Sequence, residues 1–255
     1  MKPTTVFHPV FDILPLGQRI IWPLLDGVSD LGFVLYGGTA LALRFGHRQS
    51  VDFDFFNCLP LDKGKLYALY PFLKQGEHNQ VEENALSITL KPNDGTNEVK
   101  VSFFGDIDFG RIGTPDLAEG FRSMLVASLD DIMATKLKVL LERVEWKDYT
   151  DIATLIEHGV SLTKGIASLN SLFGEVVPPT LVLQTLTWFN EPQLSELSEH
   201  CRNVLVSAAD LAYSEIKYIK PSPVISRTLV DEAFSEKYQK VEAFIVCVNV
   251  SNGNS

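Results

Sequence analysis

The stretch VLYGGTALALRFGHRQSVDFDFF, residues 34–56, contains in one short segment the pattern of a strand, a turn, a helix and a second strand. The apolar run before Gly37 and Gly38 predicts a buried strand. The two glycines predict its end, because glycine allows tight backbone geometry and close approach to a ligand. Thr39 is expected to cap the following helix, and Gly46 is expected to stop it. The stretch therefore predicts a strand–helix–strand unit of an α/β fold.

Residues 50–55 alternate between polar and apolar side chains, as expected for a half-buried strand. Ser50, Asp52 and Asp54 would lie on one face of it, close to the helix that begins after Gly38. Two carboxylates this close need a compensating cation, and Mg2+ is the usual one for oxygen ligands. The amide groups at the start of a helix suit a polyphosphate. The segment therefore predicts a nucleotidyl-transfer site, with a metal-bridged triphosphate held beside the glycines.

The side chains between the helix and the second strand have more than one interpretation. Ser50 is expected either to donate to a phosphate oxygen or to act as a turn residue. Arg48 is expected to place a positive charge near the triphosphate, and His47 is expected at the surface. The alternative for the whole segment is a solvated strand end at Asp52 and Asp54 beside a plain glycine turn. A solvated strand end and a plain glycine turn would each occur without the other. Their combination at this spacing therefore favours the phosphate site over that alternative.

A second informative segment is residues 128–151, where the pattern predicts a helix with Ser128 as its cap. On this helix Lys136 falls inside an apolar stripe, where a lysine must meet an anion or extend its ammonium group to the surface. Arg143, two turns further on, lies at the edge of the same face. Lys138 lies on the opposite face and is expected to be solvated. The helix thus supplies candidate cations for the predicted phosphate site.

The 255 residues are 45% hydrophobic and 21% charged with a net charge of −10, which is typical of a globular protein without a broad basic nucleic-acid surface. Three cysteines, Cys58, Cys201 and Cys247, lack metal-ligand spacing and are expected to be reduced thiols. No signal-peptide pattern is present, and the apolar run 243–250 is too short to cross a bilayer. These features predict a cytoplasmic protein without a membrane partner.

The glycine pair and the paired aspartates together resemble a known signature. Gly37-Gly38, thirteen further residues and Asp52-Phe53-Asp54 resemble the hG[GS]…Dh[DE]h pattern of the polymerase-β-like nucleotidyltransferase superfamily. The longer segments GGTALALR…RQSVDFDFF and TKLKVLLERVEWKDYTDI resemble the AbiEii/AbiGii abortive-infection toxin family within it. The resemblance covers roughly residues 30–160 and says little about the last third of the chain.

The resemblance implies roles for individual residues. Asp52 and Asp54 would hold Mg2+, and Lys136 would contact the phosphates of the nucleotide. Asp148 would be the acid that assists the acceptor hydroxyl. It is also a candidate N-cap for the helix that follows, and the two roles are compatible. The expected substrate-binding residues surround these four: Gly37, Gly38, Thr39, Ser50, Arg48 and Arg143.

One position departs from the superfamily pattern. A later strand commonly carries a third carboxylate, but in VKVSFF, residues 99–104, Ser102 stands in its place. Asp106 and Asp108 lie just beyond that strand. They would either replace the missing acid or be solvated residues of a turn.

The predicted architecture is α/β, of the α+β kind, with two parts. A mixed-sheet nucleotidyltransferase-like core is expected in residues 1–115, and an all-helical half that closes the cleft is expected in residues 116–255. Before the second part, a helix over 16–28 and a hairpin of strands 85–91 and 98–104 are predicted. The later helices, whose aromatic residues are interpreted as core, are predicted at 162–173, 180–189, 195–217 and 224–242, with a strand-like tail at 244–250.

The implied activity is the Mg2+-dependent transfer of a nucleoside monophosphate from an NTP to an acceptor hydroxyl, on tRNA or another acceptor. By the same resemblance the protein would be the toxin of a toxin–antitoxin pair, with a cognate antitoxin as its partner. Two alternatives remain open. An enzyme that modifies a small molecule or a protein hydroxyl is favoured over tRNA by the acidic net charge. A degenerate relative that binds nucleotide or a partner without chemistry is suggested by Ser102.

Overall fold

An eight-stranded mixed sheet forms the centre of the computed structural model, which describes residues 5–93, 95–174, 177–216, 219 and 222–230. The strands, in chain order, are β1 (Val6–Phe7), β2 (Val34–Tyr36), β3 (Asp52–Phe56), β4 (Glu77–Glu82), β5 (Ala85–Leu90), β6 (Val99–Phe104), β7 (Asp116–Ala118) and β8 (Leu125–Val126). Across the sheet their order is β1-β7-β8-β2-β3-β6-β5-β4. The predicted α/β class is confirmed.

The α-helices fall into two groups. Three are interspersed with the strands: α1 (Leu16–Leu24), α2 (Gly37–Phe45) and α3 (Lys63–Leu69). The others follow the last strand: α4 (Leu129–Leu140), α5 (Trp146–Glu157), α6 (Leu162–Phe173), α7 (Pro179–Thr187) and α8 (Glu199–Glu215). Within the described residues, none of these helices combines the length and the apolar composition needed to cross a membrane.

The central strand β3 lies between β2, which is antiparallel to it, and β6, which is parallel. Phe53 and Phe55 of β3 are fully buried in the core, whereas Asp52 and Asp54 are only partly buried, as the alternating pattern predicts. Asp54 pairs in register with Ser102 of β6, so their side chains lie on the same face. The position of β3 in the sheet therefore fixes where the two carboxylates lie.

Several sequence predictions are confirmed by this arrangement. The strand–helix–strand unit is present as β2, α2 and β3, and Gly46 follows α2 in the left-handed conformation at φ 62°. Strands β5 and β6 form the predicted antiparallel pair, and α6 has the predicted bounds. These elements have complete periodic patterns and clear turn residues on both sides, which is why the sequence identifies them.

The prediction that Thr39 caps α2 is wrong. The helix begins two residues earlier, at Gly37, with Tyr36 in the N-cap position. Thr39 is buried inside the first turn, and its hydroxyl donates to the backbone carbonyl of Asp52. This hydrogen bond connects the start of α2 to the start of β3. The Thr39 hydroxyl therefore stabilises the packing of helix and strand and does not cap the helix.

Other differences concern short or terminal elements. Strands β1, β4, β7 and β8 were not predicted, because each is too short or too polar to show an alternating apolar pattern. The predicted helix 224–242 does not begin at Val224: residues 224–230 contain no helix, and Ser226 forms an isolated antiparallel bridge with Arg111. Residues 231–242 of that helix, the strand-like tail 244–250 and Cys247 lie outside the described residues.

The division of the chain at residue 115 stays a prediction. Strands β7 and β8 come after that residue but belong to the same sheet as β2 and β3. The first of the helices that follow the sheet is α4, with Ser128 as its N-cap. We therefore propose that the helical part begins at Ser128.

Asp131 connects the first turn of α4 to the loop before β7. Its buried carboxylate accepts hydrogen bonds from the amides of Ile112 at 2.5 Å and Gly113 at 3.2 Å, and from the hydroxyl of Ser128 at 2.6 Å. Burial raises the pKa of Asp131 to about 6, against the opposing effect of these hydrogen bonds. The side chain thus holds a loop and a helix together through its oxygens.

Replacing Asp131 with alanine is expected to lower the free energy of unfolding by about 2–4 kcal/mol, because two buried amides lose their acceptor. Asp130→Ala is the matched control: Asp130 lies in the same first turn, but its partner is the exposed ammonium group of Lys164. Chemical denaturation of both variants measures the difference. Equal losses for the two variants would contradict the proposed connection.

Asp131 also predicts a pH dependence of stability. Because its pKa is higher in the folded state than in the unfolded state, the folded protein retains a proton that the unfolded chain releases between about pH 4 and pH 6. Asp131 should therefore make the stability fall as the pH rises through this window. The difference in unfolding free energy between wild type and Asp131→Asn should decrease from pH 4 to pH 6 and then level off. An increase across the same window would show that the hydrogen bonds outweigh burial.

Candidate active site

A cleft of about 450 Å³ lies between the polar face of β3 and the helices α4 and α5. Its lining contains two groups of side chains. The first group is charged, with acids from β3 and α5 and bases from α4 and the segment that follows it. The second group is aromatic, with rings from β2, β3, the loop after β6 and the end of α6. The cleft is therefore formed by both parts of the chain.

Gly37 and Gly38 lie where the cleft approaches the start of α2. Gly37 has φ +76°, and a Cβ atom there would lie 2.9 Å from Oδ2 of Asp54. A Cβ atom on Gly38 would lie 2.5 Å from Nη2 of Arg48 and 3.1 Å from Oγ of Ser50. The pair is required because the backbone passes close to three polar side chains of the cleft. First-turn amides of a helix have no partners within it, so these glycines also expose hydrogen-bond donors.

Asp52 and Asp54 both line the cleft from β3. Burial and then the neighbouring charge of Asp52 raise the pKa of Asp54 above its ordinary value. The positive charges of Lys100, Lys136 and Arg143 act in the opposite direction. The charged form of Asp54 is therefore disfavoured by its surroundings, and a cation bound beside it would favour that form.

The two carboxylates fit a small divalent cation. They supply hard oxygen donors, and Mg2+ is typically bound by one or two carboxylates together with substrate phosphates and water. Across the part of the chain that the structure describes, no group of three or more His, Cys, Asp or Glu side chains is arranged to hold a metal ion. A cation at Asp52 and Asp54 would depend on substrate oxygens to complete its coordination.

Ser102, at the position where the family resemblance leads us to expect a third acid, lies beside Asp54 in the sheet. Ser102 is fully buried, and its Oγ accepts a hydrogen bond from Oγ of Ser87 at 2.9 Å. Asp106 and Asp108 are exposed and do not line the cleft. Neither of them replaces the missing carboxylate, in agreement with their interpretation as turn residues.

Lys136 of α4 is buried against the carboxylates of α5. Its Nζ lies 2.7 Å from Oδ1 of Asp148 and 2.6 Å from Oδ2 of Asp151. The apolar stripe around Lys136 indicated that it would meet an anion, and the structure supplies two. The ammonium group is thus fixed at the cleft wall by ion pairs between the two helices.

Asp151 collects positive groups from two parts of the chain. Arg48 contacts it through Nε and Nη2, both at 2.7 Å, and Nε2 of His47 lies 2.7 Å from Oδ1. Burial alone would raise the pKa of Asp151, but Lys136 and the hydrogen bonds from His47 and Arg48 hold it well below its ordinary value. His47 is therefore part of this buried network, which corrects its interpretation as a surface residue.

Asp148 is held by a second cation besides Lys136. Nε of Arg143 lies 3.1 Å from Oδ2 of Asp148, and the Arg143 side chain remains half exposed at the cleft. The N-cap position of α5 belongs to Glu145, with no side-chain hydrogen bond, so the prediction that Asp148 caps this helix is wrong. Asp148 instead presents a buried, doubly paired carboxylate to the cleft.

The structure brings most of the predicted site residues into one cleft. Those that line it are Gly37, Gly38, Arg48, Ser50, Asp52, Asp54, Lys136, Arg143 and Asp148. Thr39 is the exception among them, since its buried hydroxyl is bonded to the backbone of β3. Arg48 lines the cleft, but its guanidinium group is shared with Asp151.

Sequence reasoning missed the aromatic side of the cleft and two of its cations, Lys138 and Lys147. Phe173 was interpreted as core, yet it is half-buried and lines the cleft together with Tyr36, Phe56 and Phe109. Phe56 continues the alternation of Asp52 and Asp54, which is a signal that could have identified it. Lys138, expected to be solvated, also lines the cleft and pairs with Glu142 at 3.3 Å.

Comparison with solved structures supports the same fold. MenT4, a nucleotidyltransferase toxin from Mycobacterium tuberculosis, superposes with a TM-score of 0.55 over 88% of this chain and 91% of that one, at 12% identity. JHP933 from Helicobacter pylori superposes with a TM-score of 0.52 over 79% of this chain and 92% of that one, at 17% identity. At these identities the likeness is one of fold.

Sequence comparison identifies relatives more directly. An uncharacterised protein of Aquifex aeolicus, aq_aa25, is 28% identical over 174 residues, which are 66% of this chain and 80% of that protein. The family described as nucleotidyl transferase AbiEii toxin, Type IV TA system, matches residues 23–200, more than half of the chain. The chain therefore belongs to the AbiEii family of nucleotidyltransferase toxins.

Proposed function

We propose that this nucleotidyltransferase moves a nucleoside monophosphate from an NTP to an acceptor hydroxyl in the cleft between β3 and α4. The proposal rests on one observation. The carboxylates of Asp52 and Asp54 line the same cleft as two cations, Lys136 of α4 and Arg143 shortly after it. Nucleotidyl transfer needs both charges, because a triphosphate must be neutralised while its α-phosphorus is attacked.

The triphosphate would lie against the start of α2. Gly37 and Gly38 line the cleft in the first turn of the helix, where backbone amides would meet the phosphates, and the hydroxyl of Ser50 lies next to Gly38. Lys136 and Arg143 approach from the opposite wall. Arg48 also lines the cleft. Its guanidinium group is held by Asp151 and would add positive charge near the phosphates without breaking that ion pair.

Asp52 and Asp54 would hold a divalent cation, which AbiEii nucleotidyltransferases generally use. Mg2+, when bound there, supplies charge neutralisation for the phosphate oxygens and orientation of the α-phosphate. The residues of the chain perform the remaining functions. The two carboxylates would hold the cation on one side of the triphosphate, and the buried neighbour Phe53 keeps their strand in place.

The chemical step is an in-line displacement. The acceptor oxygen forms a bond to the α-phosphorus, the bond to the bridging oxygen breaks, and pyrophosphate leaves with the electron pair. Asp148 would accept the proton of the acceptor hydroxyl, since it is the carboxylate of α5 that lines the cleft. Lys136 and Arg143, both paired with Asp148, would neutralise the charge that develops on the phosphate oxygens.

For the acceptor we propose an RNA hydroxyl, that of tRNA first, as the family resemblance implies. A cognate antitoxin is the corresponding protein partner, because the family is the toxin of a Type IV toxin–antitoxin system. Incubation with each labelled NTP and total RNA, protein extract or small acceptors would identify the labelled product. If the label appeared only in a protein or only in a small molecule, that class of molecule would be the acceptor in place of tRNA.

Asp52→Asn and Asp54→Asn are each expected to lower kcat/KM for the NTP by about 10²–10³-fold, because the amide cannot hold the compensating cation. Asp108→Asn is the matched control, since Asp108 is an exposed aspartate outside the cleft. A transfer assay with purified protein measures all three. Activity of both cleft variants at the wild-type level would refute the assignment of the metal site.

Asp148→Asn is expected to lower kcat by about 10²–10⁴-fold, the usual contribution of a general base, with a small change in KM for the NTP. The fold should be retained because Lys136 keeps Asp151 as its partner. Glu145→Gln provides the comparison, as Glu145 lines the same cleft 3.7 Å from Arg143. If both variants turned over at the same rate, Asp148 would have no role in proton transfer.

A further inference from the structure

Four aromatic side chains pack together on one side of the cleft and are called here the aromatic wall: the buried Tyr36 and the partly exposed Phe56, Phe109 and Phe173. Phe109 is its centre. Its ring centroid lies 6.1 Å from that of Tyr36, 6.2 Å from that of Phe56 and 5.2 Å from that of Phe173. The centroids of Tyr36 and Phe56 are 5.1 Å apart in an edge-on arrangement. The four side chains thus pack as one unit, and they come from both parts of the chain.

The three phenylalanines of the wall are only half-buried, although they pack against the main core. Their remaining surface faces a cleft whose other side chains are mostly charged. Apolar ring surface in such a position is poorly accommodated by water, and it becomes favourable when a flat ligand covers it. A purely structural role would be met more simply by full burial, as for Phe53, Phe55 and Phe103.

The wall is positioned at a fixed distance from the carboxylates. Asp52, Asp54 and Phe56 are successive residues on the same face of β3, roughly 7 Å apart along the strand. The second of these steps, from Asp54 to Phe56, leads from the phosphate site to the first ring of the wall. The ribose of a nucleotide would lie along this step, between its phosphates and its base.

Helix α4 provides the opposite side of both regions. Lys136 belongs to the phosphate end, whereas Val139, one turn further on, lines the same cleft as the rings. Nζ of Lys138 lies over the ring of Phe173, 6.0 Å from its centroid, which places a cation beside one member of the wall. The same helix thus contributes a cation to the phosphate end of the cleft, and an apolar side chain and a second cation to the lining that it shares with the rings.

We propose that the aromatic wall binds the base of the incoming nucleoside triphosphate, with Phe109 as the principal stacking residue. This inference rests on the proposed function, because that function places the phosphates of the same nucleotide at the other end of the cleft. Phe56 of the wall lies on the same strand as the proposed metal site. A base that contacts the wall would therefore belong to the nucleotide whose phosphates are bound at that site. Ring stacking is tolerant of base identity.

Isothermal titration calorimetry in Mg2+ can separate the two ends of the cleft. The probes are each of the four NTPs and inorganic triphosphate, which has no base. Phe109→Leu keeps an apolar side chain but removes the ring, and it is expected to weaken binding of the preferred NTP by about tenfold to a hundredfold. Binding of inorganic triphosphate should be unchanged. Phe109→Trp should restore most of the lost NTP affinity, which a merely structural ring would not do.

Phe72→Leu is the matched control, because Phe72 is a partly buried phenylalanine that does not line the cleft. It should bind every probe as the wild type does, and thermal unfolding of both leucine variants verifies the fold. Unchanged NTP binding by Phe109→Leu overturns the proposal. So does an equal loss for NTP and inorganic triphosphate, or an effect confined to KM for the acceptor, which would assign the wall to the acceptor.

The proposal and the proposed function can fail separately. Phe109-dependent NTP binding without transfer to any acceptor would keep the base site and reject the enzymatic assignment. Transfer with normal NTP binding by Phe109→Leu would keep the activity and reject the base site. A wild-type protein that bound none of the four NTPs would overturn both.

Discussion

The buried charge of Lys136 is the constraint on which the cleft depends. An ammonium group removed from water is unfavourable by several kcal/mol unless carboxylates surround it, which here are Asp148 and Asp151. Asp151 also binds Arg48 and His47, so a single carboxylate joins α4, α5 and the segment between α2 and β3. The ion pairs thus set the distance between the phosphate end of the sheet and the helices that cover it. Removing one partner would leave the others charged and buried.

The sequence was informative wherever a residue type conflicted with its apparent surroundings. A lysine in an apolar stripe indicated a buried anion, and Lys136 has two. Two aspartates alternating with phenylalanines indicated a strand with one charged face, and the exposures along β3 agree. The adjacent glycines indicated close backbone approach, and Asp54 and Arg48 occupy the space that their side chains would need. In each case the local pattern contains the physical reason for the contact.

The remainder of the site could not be predicted because its contacts are long-range. Phe109 and Phe173 come from a loop and a helix end, and only the tertiary fold brings them to Phe56. The pairing of Arg48 with Asp151 spans 103 positions of sequence, so no local pattern contains it. Thr39 was misassigned because a threonine after two glycines resembles a cap, whereas the helix had already begun at Gly37. Short strands such as β7 and β8 exist only because a neighbouring strand offers hydrogen bonds.

The internal pairing of the cleft cations has a consequence for how a ligand approaches. Arg48, Lys136 and Arg143 each already contact an acid, and the acidic and basic groups around the cleft nearly balance. A balanced cleft creates little electrostatic potential beyond its mouth, so it exerts weak steering on a distant polyanion. At longer range the net charge of −10 opposes the approach of a polyanion, so association should become faster as added salt screens that repulsion. Selectivity then arises after arrival, from the backbone amides, carboxylates and rings that the ligand meets inside.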